Sequence, residues 1–233
     1  GHTLWYFAKH SSMNNYWYPD ATRFIERTIH EFPAYSFVVC DLHAHVLSLP
    51  ISLFLLLSIF LWLKELLVTR NCHKMLAVLL GILFGVLVMT NTWDIMIYGF
   101  LLIIIGLILL LKNKHFFKGL FFTAGIILLA TAVTSFFWFS NFTAISSGLL
   151  LATEHTPLWQ LLVLWGPHLF WLILFLLIFN PWNKLGNKDS TVPILLIAVT
   201  LLVLFLVIFP EIFYFKDIYS TYPRANTMFK LVF

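Results

Sequence analysis

A carboxylate and two imidazoles alternate in Asp41-Leu42-His43-Ala44-His45, directly before the first long apolar run. In an extended segment, side chains two apart share a face, so the three would converge on a divalent metal such as Mg or Mn, or on a sugar phosphate. On a helix only Asp41 and His45 share a face; Asp41 is then a good N-cap, and Pro50 kinks the helix a turn or two later. Metal set or cap, both readings stay open on spacing alone. Glu31 and Asp41 are the carboxylates in this stretch that could take a proton from a substrate hydroxyl.

Two more groups have the composition of a binding site. Asn91-Thr92-Trp93-Asp94 interrupts an otherwise apolar run, and an ionised Asp in a membrane helix costs about 2.5 to 3.5 kcal/mol at the centre, less near the interface. Such an acid needs partners and is a candidate for orienting substrate; alternatively the tetrapeptide is a hairpin turn with Asn91 and Asp94 as caps and Trp93 as an interface anchor. Glu211 to Asp217 and Tyr222 to Lys230 form the last polar connection, where Arg224, Asn226 and Lys230 could hold a phosphate. Long cations at a membrane edge also snorkel to headgroups. Glu154-His155 is a weaker pair, and His168, beside Pro167, suits carbonyls freed at a proline kink. The sequence lacks H-E-x-x-H, G-x-S-x-G, a P-loop and a dinucleotide fingerprint, which argues against those soluble-enzyme chemistries.

The elements that must position these residues are membrane helices. With 61% hydrophobic residues over 233 positions, the chain carries more apolar surface than one soluble core encloses. A mean hydropathy of +0.93 points the same way. The expected fold is an all-α integral membrane bundle of six complete spans, at about 46–64, 75–89, 95–111, 119–139, 158–179 and 192–209, with a seventh starting at 228–233. Residues 1–45 form an aromatic-rich segment outside the bilayer, and residues 46–233 the transmembrane domain. The start at Gly1 without Met and the apolar close at Phe233 read as a fragment.

Charge sets the orientation. Lys64, Arg70, Lys74, Lys112, Lys114, Lys118, Lys184 and Lys188 fall in alternate loops with only Glu65 and Asp189 for company. The positive-inside rule makes these loops cytoplasmic. Residues 1–45, 90–94, 140–157 and 210–227 then face outward, in a multi-pass protein of the cell membrane. The net charge of +4 is a topology signal and not a sign of nucleic-acid binding; the expected partners include membrane lipids. Cys40 and Cys72 lie on opposite sides and cannot pair. Asn141-Phe142-Thr143 matches a glycosylation acceptor but sits at a membrane boundary.

The strings Glu31 to Pro50 (EFPAYSFVVCDLHAHVLSLP), Asn91 to Asp94 (NTWD) and Arg224 to Lys230 (RANTMFK), in that order around the spans, resemble the YYY family of bacterial and archaeal membrane proteins, a domain of unknown function. Asp20-Ala21-Thr22-Arg23-Phe24-Ile25 also looks like its pattern. The resemblance implies kinship with C-type glycosyltransferases, which take sugars from polyprenyl-phosphate donors on the outer face. It also implies a catalytic carboxylate in a first outer loop expected upstream of Gly1. The competing classes are a transporter or flippase for a lipid or small anion, and a non-catalytic membrane subunit.

Overall fold

The computed structural model describes residues 22–31, 33–38, 40, 42–143, 148–186, 190–216 and 221–232, so Asp41 lies outside the described residues. Its contacts divide the chain into two compact units.

The larger unit takes residues Leu42–Thr143 and Leu172–Phe205. Helix α2 (Ala44–Thr69), numbered after the short α1 (Pro33–Val38), buries His45, Ser48, Ser52, Leu55, Ile59, Leu63 and Leu66. That stripe has helical spacing and becomes more apolar along the helix, though Ser58 is buried in it as well. The helix ends where Arg70 turns left-handed (φ 57°) and donates its N–H to the Leu66 carbonyl. Helix α3 (Lys74–Thr90) starts at His73, whose Nδ1 accepts from the Leu76 N–H at 3.3 Å. A single extended residue, Asn91, closes α3 and opens α4 (Thr92–Lys112). The 75–111 run is therefore broken where its polar residues fall, but the break is one residue long, and Thr92, Trp93 and Asp94 make the first turn of α4.

Helix α5 (Phe116–Thr134) crosses α3 very closely. A Cβ placed on Gly81 would lie 2.5 Å from the Ala130 Cβ, and one on Gly85 2.6 Å from the Thr134 Cβ. Small residues four apart let two backbones approach, which is how helices pack where lipid offers no hydrophobic driving force. Thr131 adds a hydrogen bond to the Gly81 carbonyl at 3.0 Å. The span expected at 119–139 stops at Ser135, whose hydroxyl turns back to the Thr131 carbonyl, and a separate six-residue α6 (Phe136–Asn141) follows.

Helix α7 (Leu158–Phe179), the short α8 (Pro181–Lys184) and α9 (Thr191–Ile212) complete the long elements. In the larger unit α9 packs antiparallel to α4, through Phe205 against Phe100 at a ring distance of 4.9 Å and Ser190 bonded to the Lys112 ammonium. A side chain at Gly119 would meet the Arg70 carbonyl and Asn71. Connections carrying Arg70, Lys112 and Ser190 thus gather at one end of this unit, as the charge alternation requires.

Among the described residues five helices are long and apolar enough to cross a membrane: α2, α4, α5, α7 and α9. Of the expected six complete spans, five reach this length; the apolar α3, at the expected 75–89, has 17 residues and rises about 25 Å against a layer of about 30 Å. The expected start of a seventh is an eight-residue α10 (Ala225–Val232) with Ala225, Met228, Phe229 and Leu231 buried on one side. An all-α fold is also too simple: β1 (Leu149–Leu151) and β2 (Phe213–Phe215) pair antiparallel, with Leu150 opposite Tyr214.

The smaller unit takes residues Gly1–Asp41, Ala144–Trp171 and Leu206–Phe233. The β ribbon holds its frame, extended by Lys216 N–H to Gly148 O and Ala152 N–H to Ile212 O. The connections expected at 140–157 and 210–227 are thus joined by backbone hydrogen bonds.

A buried arginine and glutamate pair as candidate functional site

Glu211 sits in the last turn of α9, just after Pro210, where a helix leaves carbonyls without internal partners. Arg224 supplies donors to this end. Its Nη1 reaches the Glu211 carboxylate at 2.8 Å and the Pro210 carbonyl at 3.2 Å, and its Nη2 reaches the Thr156 hydroxyl at 3.2 Å. A guanidinium at a helix C-terminus also complements the negative end of the dipole. Thr156 closes the other side of the carboxylate, its N–H donating to Oε2 at 2.8 Å and its hydroxyl to Oε1 at 2.7 Å. The side chains of Arg224 and Glu211 are 6% and 14% exposed, so the pair is largely withdrawn from water. Burying two charges costs several kcal/mol per ion, and only good geometry with extra hydrogen bonds offsets that. Both are present.

Neighbouring His155 donates from Nδ1 to the Glu211 carbonyl at 2.8 Å. A carbonyl can only accept, so this bond puts a proton on Nδ1 and leaves Nε2, on an exposed side chain, uninvolved in it. One residue therefore organises both neighbours: the carboxylate of Glu211 holds Arg224, and its backbone aims His155. Thr227 ties α10 into the same frame by accepting from the Phe215 N–H at 3.0 Å. Asn226 and Lys230, four apart on α10, are half-exposed, and the Lys230 ammonium lies 4.8 Å from the Phe229 ring centre.

A turn from the N-terminal segment docks onto this region. Gln160 donates to the Phe24 carbonyl at 3.1 Å, Phe24 meets Trp159 edge-on, and Arg27 pairs with Glu154 at 2.6 Å. The turn is closed on His30, which is wholly buried. Its Nε2 accepts from the Ile25 N–H at 3.2 Å. Thr28 gives its hydroxyl proton to the Ile25 carbonyl at 2.8 Å, leaving an acceptor for His30 Nδ1 at 3.4 Å. Burial, and then the Arg23 charge, lower the His30 pKa from 6.5 to about 4.

The other sequence candidates fall elsewhere. Glu31 is half-buried and pairs with Arg23 at 3.8 Å. His43 is the extended residue before α2 and exposed, whereas His45 is inside the helix and buried; their rings meet edge-on at 5.2 Å. The helix thus begins between the two imidazoles, so neither the fully extended nor the fully helical arrangement holds. Among the described residues no three His, Cys, Asp or Glu side chains gather closely enough for a metal, and Asp41, the third expected ligand, is outside them. Asn91 and Asp94 belong to the larger unit, where the Asn91 amide donates to the Asp94 carboxylate at 3.0 Å and both are buried; Trp93 is half-buried beside them. Tyr98, one turn on, lies near Ser52 of α2. His168 is exposed within an α7 that continues through Pro167.

Long apolar helices, charged groups near helix ends, and connections braced by buried ion pairing define a multi-pass integral membrane protein. The chain belongs to the family of uncharacterized membrane proteins DUF2298, whose pattern matches residues 2–205. That span includes His155 and Thr156 but stops before Glu211 and Arg224. No curated protein and no solved structure matches the chain.

Proposed function

We propose that this chain is the membrane-embedded part of a glycosyltransferase-like protein that takes a sugar from a polyprenyl-phosphate donor at the extracytoplasmic face. The observation that carries the reading is the ordered network of His155, Thr156, Glu211 and Arg224 at the ends of two apolar helices, on the side that the lysine distribution makes outward. A lipid-linked donor needs such a place, reached from both the bilayer and water.

In the reaction, a base takes the proton of an acceptor hydroxyl, whose oxygen attacks the anomeric carbon. The bond from that carbon to the phosphate oxygen breaks, and polyprenyl phosphate leaves with the electron pair. His155, oriented through Nδ1 with Nε2 on the exposed side chain, joins Asp41 and Glu31 as a candidate base. Lys230 and Asn226 meet the developing phosphate charge. Arg224, already committed to Glu211, braces them and contributes its positive field. Asp41, His43 and His45 remain the proposed holders of a Mg or Mn ion; the described residues do not make that centre by themselves, and no step depends on it. Asn91, Trp93 and Asp94 orient the acceptor.

The test is sugar transfer by the full-length protein in membranes supplied with polyprenyl-phosphate sugar. Lys230→Ala should raise the apparent KM for the donor about tenfold or more, an energy of ~1.4 kcal/mol. His155→Gln should lower kcat by about 100-fold. A protein with no transferase activity on any such donor sinks the reading.

The buried Asp94 with Asn91 in an apolar bundle favours a second reading, a transporter or flippase, since intramembrane acids line substrate paths. Lipid or anion translocation in proteoliposomes, abolished by Asp94→Asn, would select it.

A further inference from the structure

We propose that the 22–30 turn is an acid-opened latch: protonation of buried His30 releases the N-terminal segment from the 154–160 segment. The inference stands on hydrogen-bond geometry and is independent of the catalytic assignment. The two bonds that the ring of His30 makes in closing the turn together need a neutral ring of one tautomer. Nε2 must keep its lone pair for the Ile25 N–H, and the Thr28 hydroxyl, with its proton given to the Ile25 carbonyl, can only accept from Nδ1. A proton added at Nε2 sets two N–H groups against each other at 3.2 Å and places a charge on a wholly buried side chain. The backbone bond from His30 N–H to the Thr22 carbonyl at 3.0 Å closes the same ring of atoms, so the turn opens as a unit.

What the turn carries makes this opening consequential. Its Phe24 carbonyl holds Gln160, its Phe24 ring holds Trp159, and its Arg27 holds Glu154. Those three partners flank His155 and Thr156, which position the Glu211 and Arg224 pair. The charged groups on the turn are Arg23, Glu26, Arg27 and Glu31, and those on the segment packed against it are Glu154 and His155. Arg23 opposes a charge on His30, and Glu31, pairing with Arg23, moderates that opposition. Because the folded-state pKa is depressed, closure is fully supported above the unfolded value near 6.5 and is lost as pH falls through about 4.

The experiment is amide hydrogen exchange of the full chain in lipid nanodiscs at pH 7, 5.5 and 4, corrected for the intrinsic pH dependence of exchange. Protection in a peptide covering 22–31 should fall on the order of 100-fold between pH 7 and pH 4. His30→Gln, whose carbonyl can accept from Ile25 but cannot titrate, should stay protected throughout. His30→Ala should be open at every pH. Glu154→Gln and Glu31→Gln remove the ion pairs to Arg27 and to Arg23 that acid could also weaken, and the acid step must persist in both. Protection that is unchanged at pH 4 in the unaltered chain overturns the latch. So does an acid step that survives in His30→Gln or vanishes in Glu154→Gln or Glu31→Gln.

Discussion

Arg224 shows what a residue's type discloses and what it hides. Its position at the start of R-A-N-T-M-F-K marks it as a cation at a membrane mouth, and a lone arginine there reads as a phosphate ligand. Its partners, however, lie 13 and 68 positions away, at Glu211 and Thr156, and no periodicity links them. The same non-locality concealed His155, whose orienting bond spans 56 positions to a backbone carbonyl. The buried pair makes a sharp energetic prediction. Arg224→Ala or Glu211→Ala strands the other charge out of water and should cost roughly 3 to 5 kcal/mol. Hydrogen exchange in peptides 148–157 and 209–216 would read that loss. Replacing both, Arg224→Met with Glu211→Leu, should recover most of it, since neither charge is then left unpaired. Single variants as stable as the parent would show the pair to be hydrated.

At the scale of elements, apolar length was legible and packing was not. Runs of Leu, Ile and Phe announce helices of the right extent because the bilayer demands about 20 apolar residues whatever they touch. The break at Asn91 was legible too, as the only polar cluster in a long run. The stop at Ser135 was not, since Phe136, Phe137 and Trp138 continue the apolar composition. The β ribbon hid for the same reason: Leu149 to Leu151 and Phe213 to Phe215 look like interface residues until their backbones pair. Gly81 and Gly85 carried a readable signal, the G-x-x-x-G spacing, which reports a helix contact rather than chemistry. Their role yields an element-level prediction. Gly81→Ala should destabilise the α3 and α5 pair by about 1 to 3 kcal/mol, seen as a lower thermal midpoint in detergent. Adding Ala130→Gly removes the nearest clashing atom and should restore part of the loss. Full restoration is not expected, because the Ile127 carbonyl would still stand 2.7 Å from the new Cβ. An unchanged midpoint in Gly81→Ala would mean that the helices do not approach as described.

For the whole molecule, the strongest inference from sequence is which connections share a side. Within single units, three contacts join connections that the charge rule groups together: 149–151 pairs with 213–215, Arg27 pairs with Glu154, and Lys112 reaches Ser190. Positive-inside bias works because charges crossing a membrane during insertion are costly in one direction, so it assigns sides without any knowledge of packing. It also assigns an absolute direction, which contacts alone do not. The two cysteines can test that direction without adding any reporter. Cys40 is exposed before α2, and Cys72 is half-exposed in the connection after it. With α2 crossing between them, a membrane-impermeant maleimide applied to intact cells should label Cys40 and leave Cys72 until the membrane is permeabilised. Cys40→Ser identifies the labelled site. Labelling of Cys72 alone would invert the protein and move the His155, Glu211 and Arg224 network to the cytoplasm, where a donor presented on the outer leaflet could not reach it. Labelling of both in intact cells would mean that α2 does not cross, and the charge rule would then have no bilayer to act across.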